Sequence, residues 1–428
     1  MSTDLPPARP TVPTPHAVRA AWAVFVVFVV AGIGMATWAS RIPAVRDGLG
    51  FSEAEMGVLL LTGAIGSLVA LPLSGMIASR IGAGRTCVSF AALAAAGFAV
   101  ATLAVEGDHP LLVRVGLFLG GMGVGIWDAA MNLEGAVVEQ RLGKSVMPRF
   151  HAGFSLGTVA GAGIGALAAH AGASLPGHVI TVMVFDLVVV VACVRFFEPT
   201  ADAAAGEGAA TTDAQADPAT AVDTGTGHTL RDTLATWRES RTLLIGLVVL
   251  AAALTEGAAN DWVSLAVVDG FGTPDSTGAI GLAVFLCAMT LARLAGTSLI
   301  DRYGRVTMLR VCGAAALVGV VVFALVPTLW VALVGVAIWG AGASLGFPLG
   351  MSAASDDPKR AALRVSVIST IGYSAFFVGP ALIGFLAEHV GYRDALLVLA
   401  VPVAVGLLVA GAAKPLPAAP GPARTLGE

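Results

Sequence analysis

The sequence predicts an all-α membrane protein with twelve transmembrane helices, arranged as two pseudo-symmetric bundles of six helices. Three observations support this. The 428 residues are 57% hydrophobic and 12% charged, whereas soluble domains carry about 25% charged residues. Apolar stretches of about 20 residues, long enough to cross a bilayer as a helix, recur along the chain. The two halves of the chain also repeat the same order of motifs.

The apolar stretches define the predicted helices in order. They are 19–39, 53–78, 85–105, 111–138, 149–170, 178–197, 241–266, 276–300, 306–326, 330–354, 362–387 and 394–413. The four cysteines lie inside apolar runs without metal-ligand spacing, so we expect no metal site. Motifs of nucleotide-binding loops and hydrolase nucleophiles are missing from the sequence. We therefore expect no cofactor and no enzymatic activity.

Composition also predicts the domain boundaries. Residues 1–18 form a polar, proline-rich tail, and 19–197 form the first six-helix bundle. Residues 198–240 are rich in Ala, Asp, Gly and Thr and read as a cytoplasmic linker. Residues 241–413 form the second bundle, and 414–428 a short tail. The first apolar stretch is too long for a signal-peptide core, so we interpret it as a retained helix.

Lysine and arginine predict the orientation. With the N-terminus inside, 19 of the 24 Lys and Arg residues fall on the cytoplasmic side and four on the outer side, while Arg293 lies within a helix. Cytoplasmic loops carry this excess of positive charge. The sequence therefore predicts a multi-pass protein of the cytoplasmic (inner) membrane with both termini in the cytoplasm.

The two halves carry equivalent motifs. Trp38 precedes Arg85 by 47 residues in the first half, and Trp262 precedes Arg305 by 43 residues in the second. A parallel repeat of six helices is the arrangement by which transporters build two bundles around a central site. The repeat therefore favours a transporter over a receptor or a membrane enzyme.

The motif GTSLIDRYGR, at 296–305, resembles the cytoplasmic loop motif of the major facilitator superfamily. The copy at 75–85 departs from it, with Ser79 at the usual aspartate position. The runs WASRIPAVRDGLG, WDAAMN, RFHAGFSLG and TEGAANDW resemble the fucose-permease-like branch, nearest its inner-membrane group of the YbjJ type. This resemblance implies the major facilitator fold. It also implies roles in proton coupling and sugar contact for Asp128 and Asn132.

Ionisable side chains inside the membrane cost about 2.5–3.5 kcal/mol each on insertion scales, so those that persist mark functional positions. Asp128 and Asn132 lie one turn apart on helix four, and Glu256 and Asn260 lie one turn apart on helix seven. We predict that Asp128 and Glu256 carry the coupling proton. The alternative is that each only forms a hydrogen bond to a neighbouring helix.

Polar and aromatic side chains near these acids are the predicted solute contacts. They are Asn132, Asn260, Trp262, Asp261, Trp38, Arg41, His151 and Tyr373. Several have alternatives. Asp261 and Trp262 could lie at the headgroup level. Arg41 could pair with Asp261, hold an anionic solute or extend to headgroups. His151 could line a gate instead of contacting solute.

Charges in the second loop motif predict a gate. Asp301, Arg302 and Arg305 could bridge helix ends in one conformation and separate in the other. We expect Arg293 to pair with Asp301 in this network. The run with Pro380 and Gly384 predicts a kink in helix eleven. Asp186 lies in an apolar run with no evident local partner, and its role stays open.

The predicted function is secondary active transport of a small polar solute, such as a sugar or sugar-like metabolite, coupled to protons by alternating access. We expect a monomer in the lipid bilayer and no nucleic-acid partner, since the net charge is −4. One alternative is a proton-driven drug or metabolite exporter, although helix five lacks the Gly-Pro step of that signature. Another is a non-transporting sensor, although 198–240 is too short for a folded domain.

Overall fold

The computed structural model describes residues 15–142, 146–197, 234–357 and 360–416, and these ranges contain helices and turns but no strand. Within these ranges, twelve helices are long and apolar enough to cross a membrane. The predicted all-α fold with twelve spans is confirmed. Most of the predicted linker and tails lies outside the described residues.

The helices are labelled α1 to α12 in chain order. The first six are α1 (Pro15–Leu49), α2 (Glu53–Ile81), α3 (Ala83–Glu106), α4 (Pro110–Leu142), α5 (Met147–His170) and α6 (Leu175–Val194). The second six are α7 (Ser240–Phe271), α8 (Asp275–Tyr303), α9 (Arg305–Leu325), α10 (Leu329–Ala354), α11 (Leu363–Val390) and α12 (Tyr392–Ala413). Breaks occur in α1 at Arg41, in α10 at Ser344–Leu345 and in α11 at Ser374.

Equivalent helices pack in the same way in both halves. In the first half α4 packs on α2 and α3, and α1 packs on α5 and α6; in the second half α10 packs on α8 and α9, and α7 on α11 and α12. Glycines permit the closest contacts. A Cβ at Gly97 of α3 would lie 2.7 Å from the Gly116 oxygen of α4, and one at Gly319 of α9 would lie 2.6 Å from the Gly335 oxygen of α10. Small residues therefore set the helix spacing.

The turns after α2 and α8 are also equivalent. Gly82 and Gly304 have φ of 85° and 80°. An L side chain rarely adopts this conformation, so each turn requires glycine. The repeated loop motif is thus a repeated turn.

Buried apolar side chains form three cores. One core spans both halves, with Met56 and Leu59 from the first half and Trp262 and Phe285 from the second. The other two each belong to one half, one around Phe28 and Trp127 and the other around Ile245 and Leu309. We call the end with the shared core the joined end and the opposite end the divided end. The two halves therefore pack together at the joined end.

Candidate functional site

Asp128 and Asn132 lie in the middle of α4. The Asn132 amide donates to the Asp128 backbone oxygen at 3.0 Å, while its own side-chain oxygen is buried with no hydrogen-bond partner among the described residues. Asp128 has an exposed side chain. Gly121 and Gly125, on the same stripe, pack closely against Gly63 and Ser67 of α2. These glycines therefore allow close helix approach rather than leaving room for a ligand.

Two faces of α4 are exposed, and they point in opposite directions. Val115 and Leu133, five turns apart, share the outward apolar face, and Val124 lies two and a half turns from Val115 on the opposite face. Asp128 is one turn from Val124. The neighbouring helix α2 packs against α11 of the second half. The face that carries Asp128 therefore lies opposite the face of Val115 and Leu133, beside the stripe that packs on α2.

Glu256 of α7 forms an ion pair with Arg293 of α8. The distance from Arg293 Nη2 to Glu256 Oε2 is 2.8 Å, and Arg293 Nε donates to the Ser344 carbonyl oxygen at 3.0 Å. The expected pairing of Arg293 with Asp301 is therefore wrong. Arg293 lies on the side of α8 that faces α7 and α10, and two turns separate it from Asp301.

Broken helices lie next to this ion pair. The Ser344 oxygen is freed by the break in α10, and Arg293 satisfies it. An aromatic row joins this break to the one in α11: Phe347 and Tyr373 have ring centroids 6.0 Å apart, and Tyr373 and Phe376 6.2 Å apart. Irregular backbone at membrane depth is tolerated where it is buried or lines a cavity, as at transporter sites.

The break in α11 lies within the run for which the sequence allows a kink, six residues before Pro380. The break is at Ser374, and Pro380 lies inside the following helical segment. A Cβ at Gly57 of α2 would lie 2.6 Å from the Pro380 oxygen, and one at Gly384 would lie 2.9 Å from the Gly57 Cα. The Pro380 and Gly384 segment is thus a tight contact between the halves.

The predicted contacts at the end of α7 differ in how deeply they are buried. Asn260 and Asp261 are half-buried. Trp262 is fully buried and packs on the Tyr392 ring at 5.5 Å. Its prediction as a solute contact is wrong in this conformation, because the indole faces α12 inside the shared core.

Trp38 and Arg41 also lie at the joined end. Trp38 packs on Phe98 of α3 at 5.3 Å, against the shared core. Arg41 is 5% exposed and donates to the Ala173 oxygen at 2.9 Å, and its charge interacts with Asp275. A pairing with Asp261 does not occur among the described residues, and burial rules out extension to the headgroups.

An ion pair crosses between the halves at this end. Arg46 of α1 binds the Asp269 carboxylate of α7 and lies over the Tyr392 ring, 5.9 Å from its centroid. Arg46 also pairs with Asp47 at 2.7 Å. This contact joins the first half to the second, and no sequence motif predicted it.

At the divided end, charges cluster within the second half. Arg305 Nη2 and Arg241 Nη2 both bind the Asp356 carboxylate at 2.7 Å. Burial raises the pKa of Asp356, but the hydrogen bonds from Arg305 and Arg241 outweigh it, so the pKa lies below its ordinary value. Asp356, just after the end of α10, therefore joins the starts of α7 and α9.

The other predicted gating residues make no such bridge. Asp301 and Arg302 are exposed, and Arg302 lies over the neighbouring Tyr303 ring at 5.2 Å. In the described ranges Asp301 has no ion pair in this conformation, so its bridge in the other conformation stays a prediction. His151, near the same end, is exposed and packs edge-on against Phe28 at 5.3 Å.

A second ion pair at this end holds the segment before α7. Arg364 of α11 donates to Glu239 at 2.9 and 2.5 Å. These hydrogen bonds hold the pKa of Glu239 below its ordinary value, although burial opposes them. Within the described residues, no group of His, Cys, Asp and Glu side chains comes together as metal ligands would.

Twelve membrane-crossing helices in two repeated halves, with polar side chains at the boundary between them, define a membrane transporter. A family model described as Major Facilitator Superfamily matches residues 23–377 and 245–427. The chain belongs to the major facilitator superfamily.

Individual proteins agree with this assignment. The chain is 33% identical over 369 residues to an uncharacterized transporter of Sinorhizobium fredii, covering 86% of this chain and 90% of that protein. It superposes on the nucleoside transporter NupG with a TM-score of 0.68 at 15% identity, covering 94% and 98% of the two chains. It superposes on FucP in the outward conformation with a TM-score of 0.58 at 14% identity, covering 93% and 99%. These two structures show the fold, and the YbjJ-type group stays a prediction.

Proposed function

We propose that this chain transports a small polar solute, such as a sugar or sugar-like metabolite, by alternating access coupled to protons. The arrangement of the cores carries the proposal. One apolar core joins the halves at one end, and two separate cores fill the halves at the other. Two rigid halves that meet at one end can rock about a site between them.

The charge distribution orients this conformation. Cytoplasmic loops carry an excess of Lys and Arg, and this supports a cytoplasmic position for both chain termini of an inner-membrane protein. The divided end, where α1 begins, is then cytoplasmic, and the joined end is the outer one. The structure is therefore an inward-facing state, closed on the outside by the Arg46–Asp269 pair.

The proposed solute site lies between α4 and the broken helices. Asp128 and Asn132 supply polar groups from the first half, and Asn260 and Tyr373 supply them from the second. The buried Asn132 oxygen needs a donor, which a solute hydroxyl provides. The Tyr373 ring provides a surface on which the apolar face of a sugar can pack. Asp261 and His151 stay predicted contacts, toward the outer and inner ends of the site.

Asp128 is the preferred proton carrier. Its residue is exposed on the face of α4 opposite Val115 and Leu133, which we infer to be directed to the boundary between the halves. Glu256 is held by Arg293, so its protonation has to break an ion pair. A proton on Glu256 would release Arg293 and the Ser344 oxygen together, which makes Glu256 the second predicted carrier.

A ligand screen identifies the solute first. Purified protein is heated with individual sugars, sugar acids and nucleosides, because a ligand that binds the native state stabilises it by about 2.7 kcal/mol at 100 times its dissociation constant. Dyes and hydrophobic drugs form the comparison set. Stabilisation by drugs alone would contradict the assignment of solute class.

Transport is then measured in proteoliposomes with the solute found. A pH gradient should drive accumulation by the native chain, and Asp128→Asn should abolish accumulation while keeping counterflow, which needs no proton. Asp108→Asn is the matched control, since Asp108 is an exposed acid in the turn between α3 and α4. Accumulation that persists in Asp128→Asn would contradict the coupling role.

A further inference from the structure

Unpartnered polar atoms gather between α1 and α6. Thr37 and Arg41 of α1 and His178 and Asp186 of α6 are each at least nine-tenths buried. Together they hold seven side-chain atoms with no hydrogen-bond partner in the described part of the chain: Thr37 Oγ1, Arg41 Nε and Nη1, both His178 nitrogens and both Asp186 carboxylate oxygens. We call these four residues the α1–α6 seam. Buried polar groups are normally hydrogen-bonded, so this concentration requires a shared partner.

The seam runs from the joined end to the middle of the membrane. Arg41 and His178 lie toward the joined end, close enough for their charges to interact, and Ser40 and His178 both pack on Gly165 of α5. Asp186 follows two turns from His178 along α6. A Cβ at Gly34 of α1 would lie 2.7 Å from Asp186 Oδ2, so only glycine lets the carboxyl lie against α1.

Among the described residues, no charged group compensates Asp186. The helices packed against α6 are α1 and α3. From α1 the nearest charge is Arg41, two turns beyond Gly34. From α3 the titratable groups are Cys87 and, at its ends, Arg85 and Glu106. None of them forms an ion pair or hydrogen bond with Asp186 among the described residues.

An ionised carboxylate in this position would be costly, because it is removed from water without donors. Burial of a neutral carboxyl costs far less free energy. The polar atoms of Thr37, Arg41 and His178 provide the two to four contacts that a buried water requires. Water held by these atoms would lie between the joined end and an acid that the solute site does not use.

We propose that Asp186 is a proton-binding site, reached from the joined end through internal water held by Thr37, Arg41 and His178. A proton from the outer solution neutralises the carboxylate and leaves by the same route. The neutral carboxyl packs against Gly34, whereas the ionised one draws water between α1 and α6. Proton binding therefore favours the packed, outward-closed arrangement. This inference extends the proposed proton coupling, and it rests on the proposed function.

Infrared difference spectroscopy tests the site without any solute. Native protein titrated from about pH 5 to about pH 9 should lose the carbonyl band of a neutral carboxyl. The band should be missing in Asp186→Asn and retained in Asp128→Asn. Thr37→Val keeps the carboxyl but removes one group that holds water, so the neutral-carboxyl band should persist to higher pH. A native-like band in Asp186→Asn would overturn the proposal.

Two further readouts separate this site from the proposed function. The distance between two spin labels at the joined end should shorten on acidification of the native chain. In Asp186→Asn the distance should stay short at every pH. An unchanged pH response in that variant would overturn the proposal. Solute counterflow in the same samples tests transport itself: its absence from the native chain contradicts the proposed function, whereas the infrared result stands independently.

Discussion

Glu256 and Arg293 form an ion pair across α7 and α8, with 2.8 Å between Oε2 and Nη2, and the same guanidinium holds the Ser344 oxygen where α10 breaks. The side chains are 25% and 30% exposed, so water reaches them in part. The pair therefore fixes an irregular helix and is also open to protonation. This arrangement links the second predicted carrier to the shape of the solute site.

The first prediction concerns this pair. Arg293→Met should destabilise the protein by about 1–3 kcal/mol, because it leaves both Glu256 and the Ser344 oxygen without their donor. Glu256→Gln should cost less, since an amide still accepts from Arg293. The double variant should be less destabilised than the sum of the two. Thermal unfolding in detergent measures all three, and additive losses would contradict the contact.

The second prediction concerns the contact of α2 with α11. Gly57→Val should hinder closure of the joined end, because its side chain would meet the Pro380 oxygen. Gly75→Val on the same helix is the control, since a Cβ there meets nothing within 4 Å. Accessibility of an engineered cysteine at Ala259, which is buried in the shared core, should rise in Gly57→Val alone. Equal accessibility in both variants would show that the halves do not meet at Gly57.

The third prediction concerns the pair between the halves. Asp269→Asn removes the Arg46 partner in α7 and should raise the outward-open population by about fivefold, for a partly exposed pair worth about 1 kcal/mol. Asp108→Asn, at the same end but within one half, is the control. The shift should shrink as salt rises. An outward-open population that changes neither with salt nor in Asp269→Asn would contradict the role of this ion pair in closing the joined end.

The fourth prediction concerns pH. Since the native pKa of Glu239 lies below its ordinary value of 4.5, its ion pair adds stability that is complete above that value and is lost as pH falls through the lower native pKa. Glu239→Gln should lower stability by about 1–2 kcal/mol near neutral pH and flatten the loss in acid. Glu388→Gln, an exposed acid, should keep the native profile. If Glu239→Gln kept the native dependence of stability on pH, this result would contradict the ion pair of Glu239 with Arg364.

The sequence was a sufficient guide to the membrane architecture. Helix length and hydropathy follow directly from the bilayer, so all twelve spans were predictable. The α4 stripe was predictable too, because Asp128 and Asn132 are neighbours on one helix. The repeated turns were visible in Gly82 and Gly304, since only glycine suits their conformation.

Contacts between distant helices were not predictable. Arg293 has an acid eight residues away in the chain, yet it pairs with Glu256, because the rotation of α8 toward α7 decides its partner. Trp262 follows two polar residues, but its position on α7 turns it into the shared core. Asp356 lies outside every recognised motif. A Gly-rich run with Pro348 was the available signal for the break in α10.

The central claim is that the two ends open in alternation. Double electron–electron resonance tests it with two label pairs, Ser79→Cys with Ser298→Cys at the divided end and Glu106→Cys with Leu325→Cys at the joined end, in a chain whose four native cysteines are replaced by alanine. These four positions are exposed. Addition of a transported solute should shift the two distances in opposite directions. Distances that change in the same direction, or that stay fixed while the solute is transported, would contradict the claim.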